Sequence, residues 1–182
     1  MIAGKNFFSE GRFMELNAKK DLYFMQEALK EARKAFERGE VPVGAVVVIQ
    51  DKIIARGHNQ VELLKDATAH AEMLALSVAF AFVQDWRLTE ATLYCTLEPC
   101  LMCAGAMFSS RLGRLVWGAK DLRLGAGGSF LDLFQIKHPM HTISVTKEIL
   151  ADESTRLLKL FFQRQRQKKA GGVSVADGSR AF

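Results

Sequence analysis

Two short stretches constrain this chain more than anything else in it. One is Pro99-Cys100-Leu101-Met102-Cys103; the other, some thirty residues earlier, is His70-Ala71-Glu72. Cysteines at i and i+3 put both sulfurs on one side of the first turn of a helix. A thiolate there meets unpaired backbone N–H groups and the positive end of the helix dipole, which lowers its pKa and favours metal binding. Pro99 suits a helix start, where its missing N–H costs nothing. Two thiolates and one imidazole suit zinc, and three protein ligands leave its fourth tetrahedral position open. Any fold this chain adopts must bring these two segments together.

The spacing H-x-E followed by P-C-x-x-C is the signature of zinc-dependent nucleobase deaminases. The chemistry explains the set. Zinc lowers the pKa of bound water from about 15.7 to about 7, so hydroxide is available at neutral pH. Attack on a ring carbon bearing an amino group requires that a ring nitrogen gain a proton, and that the amine gain one to leave as ammonia. Glu72 is the candidate proton carrier, a role that requires it not to ligate the metal. Cys95 offers a different reading, a closed Cys3His site of His70, Cys95, Cys100 and Cys103. Against it, Cys95 lies in the strand-like run 91–97, on one face with Leu93 and Leu97, and a closed site has no use for Glu72.

The remaining organisation reads from periodicity. Residues 1–20, with Phe7, Phe8 and Phe13, show no clear period and read as a loose N-terminal extension. Asp21 reads as an N-cap, followed by Leu22, Met25, Ala28, Leu29, Ala32 and Phe36 at helical spacing, so a helix is predicted over 22–38. Residues 43–49 and 52–56 read as a hairpin turning at Gln50-Asp51, and it leads to Asn59, whose amide suits a heterocycle edge or, equally, a turn. Ala71 to Phe82 reads as a buried helix, 91–97 as a strand, Cys100 to Ser110 as a helix and 115–117 as a strand. Gly118 to Ser129 reads as a flexible loop, His138 and His141 as surface or turn residues, and 142–146 as a last short strand. Lys147 to Lys169 reads as the final helix, and the tail from Gly171 as disordered. Strands alternating with helices predict an α/β layer with helices on both sheet faces.

Charge is placed unevenly. The net charge is +5, but residues 154–182 hold seven basic residues and one acidic, or +6, which leaves −1 on the rest. Lys159, Phe162, Arg166 and Lys169 follow one another at spacings of 3, 4 and 3, with Arg164 nearby; an aromatic among cations is a platform for an unpaired base. A solvated helix end, with Phe162 widening the apolar face, accounts for the same pattern. The three cysteines give no basis for a disulfide framework, and no apolar run approaches the roughly 18 residues of a membrane span, so a reducing cytosol without a membrane partner is expected.

With these residues in view the chain resembles the bacterial tRNA-specific adenosine deaminases. The resemblance rests on Val41-Pro42-Val43-Gly44-Ala45-Val46, Thr68-Ala69-His70-Ala71-Glu72, and the run from Thr92 through Cys100 and Cys103 to Met107. Gly118-Ala119-Lys120-Asp121 and Gly125-Ala126-Gly127-Gly128-Ser129 extend it. It implies a three-layer α/β/α cytidine-deaminase-like fold with a five-stranded mixed sheet, residues 21–170 as the deaminase domain, and a homodimer. It further implies conversion of the wobble adenosine of a tRNA anticodon stem-loop to inosine, by attack at adenine C6. His70, Cys100 and Cys103 would hold one zinc per subunit and Glu72 would carry protons. Asn59 would contact the adenine, Val41, Pro42 and Ala71 would wall the base, Asp121 would meet the sugar, and the basic last helix would approach the RNA. A zinc deaminase of free cytidine, cytosine or guanine would share the metal chemistry but would have no need of that helix.

Overall fold

The computed structural model describes residues 7–136, 139 and 141–171. Its centre is a sheet built outward from a hairpin. Strands β1 (Gly44–Ile49) and β2 (Lys52–His58) are antiparallel and joined at Gln50 and Asp51, whose φ values of 48° and 60° give the left-handed pair that matches strand twist in a two-residue turn. β1 also pairs antiparallel with β3 (Thr92–Leu97), which runs parallel to β4 (Arg114–Ala119) and through it to β5 (Ser144–Thr146). The order is β2-β1-β3-β4-β5, a five-stranded mixed sheet.

The period of two in the strands sorts the core into two layers. Ala45, Val47, Leu93, Cys95, Leu115 and Trp117 face one side, where helices α3 (Ala71–Val83) and α4 (Leu101–Ser109) supply Ala75, Leu76, Ala79, Cys103 and Met107. Val46, Val48, Tyr94 and Val116 face the other, against Phe24, Met25 and Ala28 of helix α1 (Phe7–Glu37). Helix α5 (Ala151–Gly171) lies beside α1, with Phe161 edge-on to Phe36 at 6.1 Å between ring centres. A single turn, α2 (Val61–Leu64), follows β2. The three-layer α/β/α arrangement expected from the sequence is therefore present.

Five local expectations are corrected. α1 begins at Phe7, so residues 7–20 are helical and continuous with the predicted helix. Asp21 is consequently interior to that helix and caps nothing. It is buried, accepting from the Tyr94 hydroxyl at 2.8 Å and from both Arg114 terminal nitrogens at 2.7 and 2.6 Å. Partners 73 and 93 residues away decide its role, and no local pattern reveals them. Leu22, assigned to the apolar stripe, is exposed, and Phe24 is buried in its place. α5 starts at Ala151, not Lys147, because Glu148 and Leu150 have φ of 64° and 52°, outside helical space. The fifth correction concerns the glycine-rich loop after β4 and is described with the site. His138 and the tail 172–182 lie outside the described residues.

Candidate active site

Helix α3 delivers the first half of the site. It is rich in alanine, and Ala71, Ala75 and Ala79 are fully buried, so its backbone can lie against the sheet. The contact is closest at Gly57 of β2, where an added Cβ would stand 2.4 Å from the Ala71 carbonyl oxygen and 2.8 Å from the Ala75 nitrogen. Only glycine fits there. That contact fixes the start of α3, with His70 as its N-cap residue and Glu72 in its first turn. Helix α4 delivers the second half: Cys100 is its N-cap residue and Cys103 lies in its first turn.

The two halves meet. His70 Nδ1 lies 3.6 Å from Cys100 Sγ and 3.5 Å from Cys103 Sγ, and the two sulfurs are 3.7 Å apart. A tetrahedral zinc with bonds of about 2.3 Å to sulfur and about 2.05 Å to nitrogen separates sulfur from sulfur by about 3.8 Å and sulfur from nitrogen by about 3.6 Å. The donor set and its spacing fit zinc. Among the described residues these three form the group able to hold a metal ion. Cys95 is not part of it; it is wholly buried in the sheet with Leu93, and burial pushes its thiol pKa up. The closed Cys3His alternative is not what this chain builds.

The hydrogen bond between the two sulfurs holds the Cys100 pKa down at about 4, while the same bond and burial push Cys103 up. The hydrogen bond with Cys100 raises His70. Metal binding releases protons, since its ligands must be deprotonated. Glu72 is 3% exposed, and burial raises its pKa to about 7, against the pull of its own backbone N–H and of His70. A carboxyl poised there can both take and give a proton near neutrality.

His70, Glu72 and Cys100 line a cavity of about 280 Å³ together with Val41, Asn59, Leu97, Glu98 and Asp121, and Cys103 lies buried behind Cys100. Of the residues singled out in the sequence, the structure brings Val41, Asn59 and Asp121 together around His70 and Glu72. Pro42 and Ala71 are buried, and neither is among the lining residues. Asp121 accepts from the backbone N–H groups of Arg123 and Leu124 at 3.0 and 3.3 Å, which turns the chain at the cavity rim.

Two buried glutamates, passed over in the sequence, hold the walls. Glu98 is 1% exposed; Oε2 accepts from the Asp121 N–H at 3.0 Å, and Oε1 from those of Gly127 and Ser129 at 2.8 and 3.0 Å. The loop over 118–129, read from its glycines as flexible, is thus fastened at three points. Its glycines serve close approach: a Cβ on Gly125 would stand 2.5 Å from Glu98 Cδ. Glu40, which also lines the cavity, accepts from Asn59 and from the Glu62 and Leu63 N–H groups of α2. A charged residue directly flanking an apolar run, as in Leu97-Glu98-Pro99 and Glu40-Val41-Pro42, is the one sequence signal that pointed to either.

A second concavity, a groove of about 700 Å³, adjoins the first through Val41, Leu97, Asp121 and Arg123, which line both. Its far side is α5, which contributes Lys159, Phe162 and Arg166. Phe162 is 38% exposed, so it is not a core residue. Arg164 points elsewhere, over the Phe36 ring at 5.8 Å. The side chain of Lys169 lies outside the described residues.

Residues 18–119 match the family described as the cytidine and deoxycytidylate deaminase zinc-binding region. The chain belongs to that family. As a member it is a zinc-dependent deaminase. It is 47% identical over 149 residues to the tRNA-specific adenosine deaminase of Bacillus subtilis, a match covering 82% of this chain and 92% of that protein. A solved structure from a study of A-to-I editing by tRNA:A34 deaminases superposes with a TM-score of 0.71 at 43% identity, covering 75% of this chain and 99% of that one. The guanine deaminase of Nitrosomonas europaea shares the fold at a TM-score of 0.67 and 27% identity, over 77% of this chain and 83% of that one. No helix among the described residues is long and apolar enough to cross a membrane.

Proposed function

We propose that this deaminase converts adenosine to inosine at the wobble position of a tRNA anticodon, releasing ammonia. The observation that carries the reading is the continuity of the two concavities. A proton-carrying carboxyl and two of the three metal-binding side chains, His70 and Cys100, line a pocket that shares the walls Val41, Leu97, Asp121 and Arg123 with a groove bearing Lys159, Phe162 and Arg166. A free nucleoside needs the pocket alone; a flipped nucleotide within an RNA loop needs both, since its neighbours must lie somewhere cationic and aromatic. The strong similarity to tRNA-specific adenosine deaminases supports the same choice.

His70, Cys100 and Cys103 hold one zinc per subunit. Zinc, when bound, makes water a nucleophile at neutral pH. Glu72 takes a proton from the attacking water, delivers it to purine N1 as C6 becomes tetrahedral, and carries the next proton to the departing amine. Asn59 contacts the base, Val41 packs on it with Pro42 and Ala71 behind, and Asp121 meets the ribose. Lys159, Phe162 and Arg166 receive the flanking nucleotides, with Arg164 and Lys169 adding charge on the same helix. Residues 21–170 constitute the catalytic domain. The enzyme acts as a homodimer, and its three free cysteines accord with a reducing cytoplasm.

The test is incubation with an anticodon stem-loop carrying wobble adenosine, followed by nucleoside analysis. Inosine is expected, with turnover at limiting RNA falling steeply as salt rises, because phosphate contacts release counterions. Deamination of free guanine or cytidine with the stem-loop untouched would overturn the reading in favour of a small-molecule deaminase.

A further inference from the structure

Glu40 follows Gly39, whose φ of +78° ends α1, and its side chain turns inward to a position only 2% exposed. Three donors converge on it. Oε2 accepts from Asn59 Nδ2 at 3.2 Å and from the Glu62 N–H at 3.2 Å; Oε1 accepts from the Leu63 N–H at 2.7 Å. Asn59 is itself buried, and its backbone N–H is taken by the Val43 carbonyl at 3.0 Å. Both residues line the cavity that holds His70 and Glu72.

An asparagine amide has a donor end and an acceptor end of nearly equal size, and a half-turn about its last bond exchanges them. A pocket that reads a heterocycle with such a group must settle which end faces the ring. We propose that Glu40 is a positioning residue that fixes the amide orientation of Asn59. The carboxylate oxygen is an acceptor facing Nδ2, so the flipped amide would set oxygen against oxygen inside a buried site. The two α2 N–H groups anchor the carboxylate itself, so it cannot turn to follow a flipping partner. Asn59 Oδ1 and its second amide hydrogen are thereby presented to the ligand in one arrangement. This inference rests on the proposal that Asn59 contacts the adenine; its structural half does not.

Two measurements on zinc-loaded full-length protein test it. In the first, the Asn59 side-chain amide is followed by nitrogen-15 NMR without RNA. In the wild type its two hydrogens should be well separated, one bonded to Glu40. In Glu40→Gln the pair should shift and collapse toward free-amide values, while zinc content stays at one per chain. An unchanged pair would overturn the proposal whatever the substrate. In the second, a double-mutant cycle measures kcat/KM on the stem-loop. Glu40→Ala should lower it about tenfold to a hundredfold, as expected when a buried amide loses its charged acceptor. The double variant Glu40→Ala/Asn59→Ala should be within about twofold of Asn59→Ala alone, because Glu40 acts through Asn59. Losses that multiply would show that Glu40 serves only to anchor α2, and an active Glu40→Ala would remove it from the site. Should Glu40→Ala not fold, Glu40→Gln, which keeps the volume, enters the cycle in its place. Absence of inosine from the wild type would count against the proposed function, and the NMR arm would still decide the orientation.

Discussion

Glu72 and Glu98 are both glutamates, both almost wholly buried, and both line the same cavity. They differ in what meets their oxygens. Glu98 is saturated by three backbone N–H groups from one loop. Glu72 has its own backbone N–H and the Cys103 thiol, and burial pushes its pKa to about 7. A buried carboxylate with a full set of donors is a strut; one left short of donors can exchange a proton. The burial of a charged residue therefore does not by itself mark a reactive group; its unfilled hydrogen-bonding capacity does. Glu40 stands between the two, with two donors from the backbone and one from the side chain of Asn59.

Three substitutions press on this contrast. Glu72→Gln should have the largest effect: inosine formation should drop by about 10²–10⁴-fold, the usual worth of general acid–base catalysis, in protein that keeps its zinc and melts near the wild-type temperature. Glu98→Gln should do the reverse. It turns one acceptor into a donor facing a buried N–H, which costs about 1–3 kcal/mol and should lower the melting temperature by several degrees. If Glu72→Gln were the variant that lost stability, the division between reagent and strut would fail. Cys95→Ala should do least, costing about 1 kcal/mol for a trimmed core side chain. It should leave one zinc per chain, by metal analysis, and full activity; lost zinc would revive the four-ligand site.

The sequence made the metal triad and Glu72 legible because their chemistry is local: a two-residue offset from His70 to Glu72 and a three-residue offset from Cys100 to Cys103, each at a helix start. The strands were legible because Val46, Val47 and Val48 alternate between two real layers. What escaped was every polar residue whose partner is remote. Asp21 looks like a cap beside its neighbours and is in fact the acceptor for Tyr94 and Arg114. Glu98 was invisible as a fastener because backbone N–H groups have no letter in the sequence, and glycines that allow close approach read the same as glycines that allow motion. The start of α1 at Phe7 was missed for a related reason: the residues before Asp21 have no apolar stripe to declare a period.

The near-contact between Gly57 and α3 has a further consequence. Main chain rests on main chain there, with no side chain interposed as a cushion. The height of the imidazole above the sheet is gauged by covalent geometry, as a bearing is seated on its race. Swelling or shrinking of side chains elsewhere in that layer leaves the seat undisturbed, whereas a single methyl group at position 57 would lift the whole helix and carry His70 away from both sulfurs.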